Sequence, residues 1–305
     1  MFNVKRVIAV AVAAGTLFAL AACGSANAAG SSDAQAGGAG ATKPIEVVAS
    51  INQWGSVAKE LGGDLVDVTS IMSNTNVEAH DYEPTSQDVA KFHGADVAVV
   101  NGADYDSWAS KAAGSTRAAL VDVAESAGVG EGGNPHVWFS AKAREAAADA
   151  ITKAYVAARP ADQAKFEELN KAWKDREAAL ESKIRDASAK LAGKPYAATE
   201  SVAWYLADDL GMTDATPSGY AQASANESEP SPADLKQYTD ALAGGSIGLL
   251  VFNTQEADAT TDQITGAAKA ANVPIVEVTE QMPAEYASLT DWMSALVDRF
   301  AEAAR

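Results

Sequence analysis

The side chains in this sequence best suited to chemistry are two histidines and two glutamates set far apart along the chain. Only three histidines occur, His80, His93 and His136. His80 stands in Val77-Glu78-Ala79-His80-Asp81-Tyr82-Glu83-Pro84-Thr85, shortly after the alternating run 66–72 that predicts a strand. The following Pro84-Thr85-Ser86-Gln87-Asp88 reads as a helix start, with Thr85 or Ser86 as N-cap and Asp88 in the first turn. His136 lies in Asn134-Pro135-His136-Val137-Trp138, ahead of a helix that Ser140 would cap. Glu200 follows a short strand at 196–199, and Glu280 follows a strand at 273–278. Each of the four therefore falls after a strand or in a loop leading into a helix, the edge at which α/β folds bind ligands. Two neutral imidazoles and two carboxylates form an N/O donor set that neutralises a divalent cation. Such a set suits zinc or manganese, and does not suit copper(I) or iron–sulfur clusters, which take thiolates. Loop order alone leaves their convergence open. His80 also reads as an exposed loop histidine, and His136 as a turn residue after Pro135. Glu200 also reads as a carboxylate favoured by a helix N-terminus, and Glu280 as a solvated loop acid with Glu277 or Asp258 in its place. His93, just before Gly94, reads as a partner of a helix C-terminus. Asp81 and Glu83 read equally as acceptors that orient His80 or as caps. The tryptophans and tyrosines read as core or lobe-interface packing.

The elements that must position these residues alternate along the chain. Strands are expected at 45–50, 66–72, 96–101, 120–123, 196–199, 247–252 and 273–278. Helices are expected at 53–61, 86–93, 108–113, 140–158, 201–210 and 260–271, from 231 onward, and at the C-terminal end over 289–304. Residues 213–230 read as a polar loop. Pro160 begins a further helix running to about Leu191, with Phe166, Leu169, Trp173, Leu180, Ile184, Ala187 and Leu191 on one face. About 30 residues of helix span about 45 Å, more than a lobe of this size needs. The pattern predicts an α/β protein of two lobes, each a small, mostly parallel sheet flanked by helices, joined by that one long helix. The expected boundaries are 44–159 for the first lobe, 160–192 for the linking helix and 193–305 for the second lobe.

Residues 1–22 read as a signal peptide: Lys5 and Arg6, an apolar run from Val7 to Leu20, then Leu20-Ala21-Ala22-Cys23. The tetrapeptide ending in Cys23 resembles a bacterial lipobox, which implies cleavage before Cys23 and lipid attachment to it. Cys23 is the only cysteine, so no intramolecular disulfide is possible. Residues 23–43, rich in Gly, Ala and Ser, read as a flexible tether. The formal net charge of -18 argues against nucleic acid, whose phosphates it would repel. It favours cations only weakly and specifies no site.

Beyond these readings, the chain resembles the metal-binding lipoproteins of ABC importers for zinc and manganese. That cluster includes the pneumococcal manganese lipoprotein and the periplasmic zinc-binding proteins. His80-Asp81-Tyr82-Glu83-Pro84-Thr85 is similar to the family's first ligand motif and Asn134-Pro135-His136-Val137-Trp138 to its second. Thr199-Glu200, ahead of Trp204-Tyr205-Leu206, falls at the third, and Val278-Thr279-Glu280-Gln281-Met282-Pro283 at the fourth, where aspartate is more usual. Glu229-Pro230-Ser231-Pro232-Ala233-Asp234 and Asn253-Thr254-Gln255 also look like one branch of the family. The resemblance implies His80, His136, Glu200 and Glu280 as ligands of one transported Zn2+ or Mn2+ ion. It implies a monomeric, membrane-anchored extracytoplasmic protein that delivers the ion to an ABC permease and has no catalytic residues. The long helix would limit lobe motion, with Glu280 or Glu200 withdrawn at release. Glutamate at the third position resembles manganese-type members, and no His-rich loop separates the first two motifs, whereas N/O sites generally bind zinc more tightly; the metal stays open. Two other classes fit parts of the pattern. A metallohydrolase needs an open coordination position and a general base, and no His-Glu-x-x-His run occurs. A surface adhesin would use the metal only structurally.

Overall fold

The computed structural model describes residues 43–76 and 82–304. His80, Asp81 and Cys23, with the expected signal peptide and nearly all of the tether, lie outside the described residues.

The first sheet is built from β1 (Ile45–Ile51), β2 (Val66–Met72), β3 (Val97–Val100) and β4 (Ala119–Asp122). Its order is β2-β1-β3-β4 and every pairing is parallel. All four residues of β3 are buried, because helices cover both faces of the sheet. Those helices are α1 (Asn52–Gly62), α2 (Ser86–His93), α3 (Ser107–Gly114), α4 (Val123–Ala127) and α5 (Ala141–Ala158). Local chemistry sets their ends. Gly63 stops α1 at φ +55°, a conformation that costs glycine little. Thr85 and Asp88 form a reciprocal capping box at α2, and Ser140 accepts from Ala143 N at α5.

A 3-10 turn at Pro160–Asp162 leads into α6 (Gln163–Leu191), whose 29 residues span about 43 Å. The second sheet then repeats the plan of the first. β5 (Pro195–Ala198), β6 (Thr213–Asp214), β7 (Leu249–Asn253) and β8 (Ile275–Val278) are parallel in the order β6-β5-β7-β8. Helices α7 (Trp204–Asp209), α8 (Ser218–Ala225), α9 (Pro232–Ala243), α10 (Ala259–Ala270) and α11 (Leu289–Ala303) flank it.

In each sheet the order reverses beside the first strand, between β1 and β3 and between β5 and β7. Loops leaving such neighbouring strands diverge and open a crevice at their carboxyl ends. The residues delivered there are Asn52 and Gln53 after β1, Asn101 after β3, Thr199 and Glu200 after β5, and Asn253 at the end of β7.

A single apolar cluster runs from the inner face of one sheet to that of the other. Trp54, Val99, Trp138, Phe166, Trp173, Val251 and Trp292 all belong to it, and α6 packs against α1, α5 and α11 along the seam. Each sheet's outer face has its own smaller cluster, around Phe92 and Val100 in the first and around Tyr238 and Leu250 in the second. Inside the seam, Arg144 of α5 donates to Glu177 Oε1 of α6 from Nε at 2.8 Å and from Nη2 at 2.6 Å, both side chains fully buried. Its Nη1 donates to the Trp138 carbonyl at 3.1 Å, two residues beyond His136.

The structure corrects three local expectations. The stretch 213–230 is not merely a polar loop: it contains β6 and α8. α8 carries little amphipathic pattern, since its small and polar residues leave Tyr220 as the only buried one. The helix expected at 201–210 begins only at Trp204, after the turn that carries Glu200. A short helix, α4, follows β4 at once, its Asp122 cap accepting from Glu125 N.

Candidate metal centre

His136, Glu200 and Glu280 come together. One ligand atom from each lies within 4.8 Å of the other two. His136 comes from the loop after α4, and the two glutamates from the ends of β5 and β8, so the group bridges the lobes.

His136 opens a 3-10 turn, Val137–Phe139, and is 2% exposed. Asn134 fixes its ring. The Asn134 amide donates through Nδ2 to the Ser201 carbonyl at 2.9 Å, which turns Oδ1 toward the histidine. That oxygen accepts from His136 N at 3.0 Å and sits 2.8 Å from His136 Nδ1. A carbonyl oxygen cannot donate, so in the neutral imidazole this network sets the proton on Nδ1 and turns the Nε2 lone pair toward the cleft. Tyr205 Oη, from the second lobe, donates to the Asn134 carbonyl at 2.9 Å and holds the loop across the cleft. The ring also meets Tyr105 and Trp138 edge-on.

Nε2 is buried and has no hydrogen-bond partner among the described residues. It faces Glu200 Oε1 at 3.5 Å. A lone pair set against a carboxylate oxygen is an arrangement that a bound cation would bridge. Ligand atoms at about 2.0–2.2 Å from a tetrahedral ion lie about 3.4 Å apart, so the spacing fits a shared metal.

Glu280 is fully buried and held at almost every atom. Its N–H donates to Gln255 Oε1 at 2.7 Å, and its carbonyl accepts from Gln53 Nε2 at 2.6 Å. Tyr105 Oη donates to Oε2 at 2.6 Å, and Gln281 Nε2 donates in turn to Tyr105 Oη at 3.1 Å. Asn253 Nδ2 serves both carboxylates, donating to Glu200 Oε2 at 2.8 Å and to Glu280 Oε1 at 3.2 Å. These donors are neutral. They orient the two negative charges without cancelling them, which leaves the centre electrostatically prepared for a divalent cation.

Of the sequence candidates, His136, Glu200 and Glu280 converge, and His80 lies outside the described residues. The substitutes considered for Glu280 sit elsewhere. Asp258 caps α10 in a reciprocal box with Thr261, and Glu277 is an exposed residue of β8. His93 is exposed in the last turn of α2, where Asp88, not Glu83, completes the capping box. Four of the tryptophans are buried packing residues as expected, but Trp204 is 39% exposed. Tyr105 is more than packing, since its hydroxyl holds Glu280. Ligand chemistry at strand ends gives Tyr105 and Gln53 no role, and the family-like segment Asn253-Thr254-Gln255 carries no role for its amides in the sequence alone. The same carboxyl-edge rule points to Gln53 and Asn253. The signal for Tyr105 was the Asn101-Gly102 turn: Gly102, Ala103 and Asp104 all have positive φ, and Asp106 accepts from the Asn101 and Gly102 amides. This sharp reversal aims Tyr105 into the centre.

His136 and Glu200 line a cleft of about 670 Å³ whose wall also carries Asp104, Glu227 and Glu256. The fold and this centre define a two-lobed protein with a candidate cation site at the lobe junction. The chain belongs to the family of zinc-uptake complex component A, periplasmic, whose model matches residues 47–303. It is 24% identical over 262 residues to the high-affinity zinc uptake system protein ZnuA of Bacillus subtilis, covering 79% of each chain. It is 30% identical over 168 residues to the manganese-binding lipoprotein MntA of the same organism, covering 52% of each. Among solved structures, the periplasmic zinc binding protein TroA of Treponema pallidum superimposes with a TM-score of 0.73 at 18% identity, covering 86% of this chain and 99% of that one. That likeness shows the shared fold.

Proposed function

We propose that this protein is an extracytoplasmic, lipid-tethered solute-binding component of an ABC importer that captures a zinc or manganese ion between its lobes and passes it to a membrane permease. One observation carries the reading: the His136 Nε2 lone pair faces the Glu200 carboxylate at 3.5 Å, beside the buried Glu280, an arrangement that a cation completes. His136, Glu200 and Glu280 are the proposed ligands, with His80 as the fourth from its motif. Membership of an uptake family supports capture rather than turnover. The names of the zinc- and manganese-binding relatives support the metal class. The lipid anchor at Cys23, the signal peptide before it, the tether after it and a monomeric state complete the proposal.

Glu280 is gripped by Gln53, Gln255, Tyr105 and Asn253, whereas Glu200 is the more exposed of the two acids. Glu200 is therefore the ligand we expect to withdraw when the ion leaves. Isothermal titration of metal-stripped protein with Zn2+ and Mn2+ tests the reading. The wild type should bind one ion, and His136→Ala and Glu280→Ala should each weaken binding by at least about 100-fold, since each removes a ligand and not merely a supporting contact. Unchanged affinity in both variants would remove the proposed centre.

A further inference from the structure

The side-chain amide of Asn253 touches both carboxylates of the centre. Resting on the metal-binding reading above, we infer that Asn253 is a positioning residue that draws Glu200 Oε2 aside, holds Glu200 to the single donor oxygen Oε1, and so biases the site toward zinc over manganese.

Its orientation is determined on every side. Asn253 is 1% exposed and ends β7. Its own N–H donates to Thr199 Oγ1 at 3.1 Å, tying it to the residue before Glu200. Its Oδ1 accepts from Gln255 N at 3.1 Å, so the NH2 group must face the carboxylates. An NH2 group has two hydrogens, one for each acid. Glu200 thus has Oε2 committed to Asn253 while Oε1 faces His136 Nε2. Glu280 has Oε1 bonded to Asn253 and Oε2 to Tyr105.

Chelation by a carboxylate requires both of its oxygens to turn lone pairs toward one ion. Glu200, with Oε2 drawn aside by Asn253, presents Oε1 alone to an ion beside His136. A shell of imidazole and single carboxylate oxygens has the low coordination number that zinc adopts readily. Manganese favours more oxygen ligands and octahedral geometry, which chelating carboxylates would help to supply. Because Asn253 is neutral, it imposes this geometry without reducing the negative charge that draws the ion in.

The test is competitive titration of the wild type, Asn253→Ala and Asn253→Leu with Zn2+ and Mn2+, with X-ray absorption on the zinc-loaded proteins. Leucine keeps the volume without the donors and serves if the alanine variant does not fold. The expected result is a wild-type shell of four or five N/O atoms at about 2.0 Å. In a folded variant the Mn2+-to-Zn2+ ratio of dissociation constants should fall by about tenfold, with a rise in coordination number, the size of effect that partners of metal ligands usually exert. Equal weakening for both metals, or a six-coordinate wild type, overturns the inference while leaving the metal site standing. A wild type that binds neither metal overturns the site itself.

Discussion

Each residue of the centre is held by a neighbour that does not itself offer a ligand. Tyr105 shows this most clearly. It reaches from the first lobe to Glu280 Oε2 in the second, at 2.6 Å, from a turn in which three successive residues have positive φ. A Cβ on Gly102 would meet Asp122 Oδ1 at 2.1 Å, so only glycine fits at the head of that turn. Removing the hydroxyl in Tyr105→Phe keeps the ring packed on Trp138 but releases one oxygen of Glu280. If Glu280 is the ligand proposed above, metal affinity should fall by about tenfold or more, the usual consequence of losing a ligand's hydrogen-bond partner, with little change in urea midpoint. An unchanged dissociation constant would show that Gln53, Gln255 and Asn253 suffice to hold Glu280.

Among the elements, capping and one buried ion pair dominate. At α2, Asp88 accepts from Thr85 N and Oγ1, from Tyr82 Oη and from Lys91. The Thr85 hydroxyl and amide, with Tyr82 and Lys91, hold its carboxyl well below the usual carboxylate range, against a smaller opposing effect of burial. A depressed folded pKa contributes stability that is present above the ordinary carboxyl range, near pH 4. That contribution is lost as pH falls through the folded value. Asp88→Asn should therefore cost about 1 kcal/mol at neutral pH, and the gap from wild type should close in acid unfolding curves below about pH 4. A gap that persists in acid would mean that the charge of Asp88 is not what matters. At the seam, Glu177→Leu would strand the fully buried Arg144 guanidinium. Breaking a buried pair from one side costs about 3–5 kcal/mol, readable in a urea melt. A loss under about 1 kcal/mol would mean that water or the Trp138 carbonyl compensates Arg144.

At the scale of the whole molecule, the two sheets share one apolar interior, and α6 lies along it. Lobes that share a core unfold together, so metal-free protein should show one cooperative thermal transition by both calorimetry and tryptophan fluorescence. Saturation at 100 times the dissociation constant should add about 2.7 kcal/mol and raise the midpoint by about 5 °C or more. Two separated transitions would show that the lobes are independent and would admit a wider hinge than the shared core allows.

Much of this was legible in the sequence because it rests on local rules. Capping chemistry at Thr85, Ser140 and Ser231 and the stop at Gly63 mark helix ends within a turn. The apolar period of α6 announces a long helix packed along one face. α8 escaped because its residues are small and polar and only Tyr220 is buried, so there was no stripe to read. The doubled strand order escaped as well: hydrogen-bonded neighbours are chosen in space, and the two halves share a topology without a repeated sequence.

By itself, then, the chain order determined the alternation of strands and helices, the ends of most helices and the placing of His136, Glu200 and Glu280 just beyond strand or loop ends, since those depend on residues within a few positions of one another. Only the tertiary structure decided that these three side chains share one point, that Asp258 caps a helix instead, and that Tyr105 and Asn253 orient the acids. Those facts depend on contacts between residues as far apart as Tyr105 and Glu280, which no local preference of the backbone can specify.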